Sequence, residues 1–211
     1  MKKESKYAIF NYKENDEDLV SNISSYLDMY ASKILSFFNY DNVFVKCCIN
    51  IYESKDEFDE KIKKIRCNNK DIPKWLVGVA TFSNSIELVS LSDYKNTSHK
   101  FNTSLIDYQK TVLHEYVHFV NFLYCRENGY EYPLKCLQEG LAMVLASPRN
   151  KSIEDFNYSY DDIVNSNNCY DGWFLLVKYI FDNYDKSYFF SLLKDGDFAK
   201  KEIKKIMMSI E

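Results

Sequence analysis

The segment SLIDYQKTVLHEYVHFVNFLYC, Ser104 to Cys125, contains no glycine or proline and repeats its apolar residues at helical spacing. Ser104 followed by Asp107 predicts an N-terminal cap, and Gly129 predicts the stop. On the helical wheel Asp107, Thr111, His114, His118, Asn121 and Cys125 share one face, while Leu105, Val112, Leu113, Phe119, Val120 and Leu123 lie around the other side. A narrow polar stripe on an otherwise apolar helix predicts a buried helix facing a site. Within it stands His114-Glu115-Tyr116-Val117-His118. Side chains four apart stack on one helical face, so both imidazoles can share one metal ion. Glu115, about 100° round the helix, lies beside the pair and can act as general base without being a ligand.

A zinc site with two histidines needs a third protein ligand and one open position. The stretch Lys135-Cys136-Leu137-Gln138-Glu139-Gly140-Leu141-Ala142 supplies a candidate. Pro133 before it and Pro148 after it punctuate a helix over 134–147. Glu139 shares a side of that helix with Cys136, Ala142, Met143 and Ala146, where an unpaired carboxylate is costly. Cys136, Glu131 and Asp171 are rival third ligands. Cys125, two turns beyond His118, is too far along the axis.

Working outward, residues 14–39 read as one long helix, 43–52 as a buried strand and 55–67 as a charged amphipathic helix. Strands are expected at 75–82 and 86–91, joined by Ser83-Asn84-Ser85. After the helix over 104–126 and that over 134–147, further helices are expected at 170–184, 186–194 and 197–210. Strand signals confined to the first half predict an α+β fold with an all-helical C-terminal lobe. With 5 Gly and 3 Pro in 211 residues there is little room for the tight hairpins of an all-β barrel or sandwich, so a helix-rich fold is expected.

Lys plus Arg number 27 against 31 Asp plus Glu, a net charge of −4. There is no basic excess or stripe, so no nucleic-acid partner is expected. The opening MKKESKYAIFNYKENDEDLV has no apolar core of signal-peptide length, and no 18-residue apolar span occurs later. A cytoplasmic location without membrane attachment is the expectation. The six cysteines show no CxxC pair and read as buried thiols; Cys47 and Cys48 alternate across a strand, so at least one is core. His99 reads as a surface histidine.

HEYVH followed 21 residues later by the glutamate of QEGLA resembles the zincin metallopeptidases, in particular the small members of the gluzincin branch. The likeness extends over roughly residues 75–195. It implies a single zincin-like domain: an N-terminal α+β lobe (1–126) with a small mixed sheet ending in the active-site helix, a helical C-terminal lobe (127–211), and a cleft between. It implies His114, His118 and Glu139 as ligands of one zinc ion, Glu115 as catalytic base, and hydrolysis of a peptide or protein substrate by metal-bound water. Tyr170, opening the segment YDGWFLLVKYI, is the candidate donor to the tetrahedral oxyanion, with Tyr158 and Tyr160 as alternatives. Strands 78–82 and 86–89 fall where zincins carry the cleft-edge strand that pairs with substrate. One departure concerns Met143, which stands where many gluzincins have an Asp supporting a metal-bound histidine. A zinc-binding module without turnover is therefore the alternative reading.

Overall fold

A computed structural model describes residues 1–41, 45–101, 103–146 and 149–210. The chain forms two compact units, Met1–Val120 and Asn121–Glu211. The α+β class expected from the sequence is the one observed.

The first unit is built on a mixed sheet of β1 (Lys2–Glu4), β2 (Ala8–Asn11), β3 (Cys47–Tyr52), β4 (Gly78–Ala80) and β5 (Ser85–Val89). Their spatial order is β1-β2-β3-β5-β4. β2, β3 and β5 run parallel, while β1 and β4 pair antiparallel at the two edges. One face is apolar and buried through Ala8, Phe10, Cys47, Ile49, Ile51, Ile86 and Leu88. That alternation is the period-2 pattern of a half-buried sheet. The opposite face carries a polar row. Glu87, only 1% exposed, accepts hydrogen bonds from Asn50 Nδ2, Tyr52 OH (2.6 Å) and Ser85 Oγ (2.7 Å). A buried carboxylate is tolerable because these donors replace its water.

Helix α1 (Glu17–Phe37) follows a 3₁₀ turn over Glu14–Asp16, and α2 (Lys55–Arg66) is capped by Ser54, whose side chain accepts from Glu57 N–H. Both are the expected helices, trimmed at their ends. β3 is shorter than the strand expected over 43–52: Val43 and Phe44 lie outside the described residues, and pairing begins at Cys47. β4 keeps only three residues of the strand expected over 75–82, because Leu76 N–H turns back onto Pro73 O before it. β1 and β2 were not expected, being too short and, in β1, too polar to show a pattern. The unit also holds a 3₁₀ stretch, Leu91–Asn96.

Asp16 is 4% exposed; Ser90 Oγ donates to its Oδ1 at 2.6 Å, and its Oδ2 finds no donor among the described residues. Burial pushes its carboxyl above the ordinary value, with Glu53 adding to the effect. A raised carboxylic pKa means the folded chain holds this proton more tightly than the unfolded one. The charged group therefore costs stability at neutral pH, and the cost is relieved as pH falls through the folded pKa. Asp16→Asn should be more stable than wild type at neutral pH by urea midpoint, and the difference should shrink toward acid.

Helix α3 (Leu105–Glu127) begins in the first unit and ends in the second. Ser104 Oγ accepts from Asp107 N–H at 3.1 Å, and Gly129 at φ +66° stops it, with Tyr130 N–H returning to Cys125 O. Both expected signals are thus used.

The described residues of the second unit are helical: the end of α3, α4 (Lys135–Ala146), a 3₁₀ turn over Ile153–Asp155, α5 (Tyr160–Val164), α6 (Tyr170–Asn183), α7 (Lys186–Lys194) and α8 (Gly196–Ile210). Ser147 and Pro148, the stop expected for α4, lie outside the described residues. α5, one turn long and set by a Ser159–Asp162 capping box, was not expected.

α4 and α6 cross at Gly140. A Cβ there would fall 2.4 Å from Trp173 O and 2.6 Å from Val177 Cγ2. The first of these is backbone and cannot yield without moving a helix. Gly140→Ala should therefore destabilise by about 1–3 kcal/mol through overpacking, outweighing the roughly 1 kcal/mol of helix propensity gained. Urea unfolding measures it.

Candidate metal centre

α3 brings its two histidines together as the four-residue spacing requires. His114 Nε2 and His118 Nε2 are 3.1 Å apart, with ring planes at 79°. His118 is 8% exposed and His114 half-buried. The helix is buried or half-buried on every side from Thr111 to Cys125. From Thr111 on the polar stripe therefore does not face open solvent, while Asp107 at its start is exposed.

Glu115 points to the sheet. Its Oε2 accepts the backbone N–H of Ala80, on β4, at 2.8 Å. Its side chain lies against Gly78, where a Cβ would stand 3.0 Å from Glu115 Cγ and 3.2 Å from Oε1. A side chain there would press on Glu115 and on Leu88 Cδ2 at 3.1 Å, so glycine gives the carboxylate its room. Tyr94, 2% exposed, meets Tyr108 of α3 with ring centroids 5.5 Å apart and planes tilted at 58°. Burial raises its phenol well above the ordinary value, and the charge of Glu115 raises it further. Gly78 and Ala80 lie on the strand expected from sequence at 78–82, but their contacts with Glu115 were not foreseen, and Tyr94 was not singled out. The first two act through position and backbone, and a lone tyrosine among 18 carries no signal.

Glu139 is half-buried on α4, flanked by buried Cys136, Leu137, Gln138 and Gly140. Among the described residues, His114, His118 and Glu139 form a group whose possible ligand atoms all lie within 4.8 Å of one another. The rivals do not join it. Glu131 is exposed. Asp171 is engaged by Arg149 and by Lys151 at 2.8 Å, and these cations hold its carboxyl below the ordinary value. The Cys136 thiol is buried, which pushes its pKa up to about 12. Cys125 is likewise pushed up to about 11.

Tyr170 is the first residue of α6. Its ring meets Trp173 edge-on at 5.1 Å and packs against the buried cluster of Met143, Phe174 and Leu175. Tyr158 packs on that same cluster, and Tyr160 is half-buried at the start of α5. Met143, 3% exposed, is core. His99 is half-buried; its Nε2 lies 2.9 Å from Trp75 O in an exposed hydrogen bond, and its ring sits 5.9 Å from Tyr94. Of the cysteine pair, Cys47 is core and Cys48 half-buried, as the alternation requires.

No described helix is long and apolar enough to cross a membrane. Comparison with protein-family profiles, with curated proteins and with solved structures finds no match to this chain.

Proposed function

We propose that the protein is a zinc-dependent peptidase on a zincin-like fold of gluzincin type. The observation that carries this reading is the pair of imidazole nitrogens 3.1 Å apart on α3, with Glu115 beside them. Two imidazoles and a carboxylate are donors that zinc takes, and Zn–N bonds of about 2.0–2.1 Å imply a tetrahedral edge of about 3.3 Å, close to the separation observed. His114, His118 and Glu139 would hold one ion per chain. When bound, zinc supplies Lewis-acid polarisation of a carbonyl and makes water more acidic.

The chain's own residues divide the remaining work. Glu115 takes the proton of the attacking water and returns it to the leaving amine. It stands on the same helix as the two histidines, one residue after His114 and three before His118, beside the pair rather than on its face. Tyr170 is the proposed hydrogen-bond donor to the carbonyl oxygen as it becomes anionic. Tyr170→Phe keeps the ring packing on Trp173, so it should lower kcat by about 10² with KM and zinc content unchanged. A wild-type kcat passes the role to Tyr158 or Tyr160.

The reading is tested by incubating zinc-loaded protein with a random peptide library and finding new termini by mass spectrometry. Cleavage should stop with 1,10-phenanthroline and return with added zinc. An intact library beside stoichiometric zinc would favour the alternative, a metal-binding module without turnover, whose support is Met143 at the position of the expected Asp.

A further inference from the structure

We propose that Glu115 is also a latch on the outer edge of β4, and that an extended peptide chain opens it. β4 is the outer strand of the sheet among the described residues. Thr81 N–H donates to Ser85 O at 2.7 Å and Val89 N–H to Val77 O at 2.9 Å. Antiparallel pairing alternates, so Val77, Val79 and Thr81 turn their backbone groups to β5, and Gly78 and Ala80 turn theirs outward. Outward N–H and C=O groups on an edge are what an added strand pairs with. Gly78 and Ala80 have little or no side chain, which lets a second backbone approach closely.

That edge is occupied by the chain itself. The Glu115 carboxylate accepts the Ala80 N–H at 2.8 Å and lies over Gly78. The Ala80 N–H makes one strong bond. A peptide carbonyl that takes it must displace the carboxylate, and the displaced Glu115 is then free to handle protons. Docking of an extended peptide and release of the base become one event. What the released carboxylate does rests on the peptidase reading above. The latch does not, since it needs only the edge and Glu115.

The test uses the full-length protein as wild type, Glu115→Ala, Ala80→Pro and the double variant. Proline removes the N–H and is tolerated where an edge N–H faces outward. Amide hydrogen exchange is read by NMR, and binding of a fluorescein-labelled pool of random decapeptides by polarisation in the first seconds, before cleavage alters the pool. Glu115→Ala should speed exchange at Ala80 by about tenfold or more, while Val79 and Thr81 keep their protection. It should also tighten peptide binding by about tenfold, the competition of one charge-assisted hydrogen bond being gone. In the double variant this gain should vanish, with Val79 and Thr81 protection showing that the sheet is intact. Unchanged Ala80 exchange in Glu115→Ala, unchanged or weaker peptide binding, or a gain that survives Ala80→Pro each overturns the latch. Tighter binding without hydrolysis in any form leaves the latch standing and removes the peptidase reading. Hydrolysis without the gain in binding does the reverse.

Discussion

Glu115→Gln should keep one zinc per chain and lower peptide hydrolysis by about 10²–10⁴-fold. The magnitude is that of a lost general base. Glutamine is isosteric, and its amide oxygen can still accept the Ala80 N–H that Glu115 Oε2 accepts at 2.8 Å. The room beside Gly78 that admits the carboxylate also admits the amide. The variant therefore alters proton transfer with little change in packing. Metal content by inductively coupled plasma mass spectrometry and kcat on a cleaved library peptide separate the two properties. Loss of zinc in Glu115→Gln would make Glu115 a ligand and redraw the site.

His114→Ala and His118→Ala have the opposite signature. Each removes one nitrogen of the pair 3.1 Å apart, and two remaining donors do not hold zinc against the buffer. Zinc should fall to a small fraction of one per chain, and hydrolysis should fall with it to the background. Glu139→Ala should weaken zinc as well, less severely if an added water takes the vacated position. Since imidazole must be neutral to bind, acid should release the ion from the wild type. If Glu139→Ala kept full zinc affinity, the third ligand would have to be sought elsewhere on the chain.

The central helix was legible because three independent signals agree over 23 residues: period, cap and stop. The histidine geometry follows from that helix alone, since residues four apart must meet. Glu139 was legible as a carboxylate among small apolar neighbours between two prolines. What the sequence did not show depends on partners distant along the chain. β1 and β2 are three and four residues long; β2 exists because β3 gives it a pairing edge, and β1 because β2 does. The bond from Ala80 to Glu115 joins residues 35 apart through a backbone N–H, which has no residue signature. Asp171 looked like a possible ligand until Arg149 and Lys151 were found on it. The partner of His99 is likewise a carbonyl, Trp75 O, which has no residue signature.

Metal analysis of wild-type protein, purified without chelator and without a nickel column, tests the account most directly. The account predicts about one zinc per chain in the wild type and almost none in His118→Ala prepared in parallel. Wild-type protein without stoichiometric metal that also fails to take up added zinc would contradict it, as would a His118→Ala protein that retains its zinc in full.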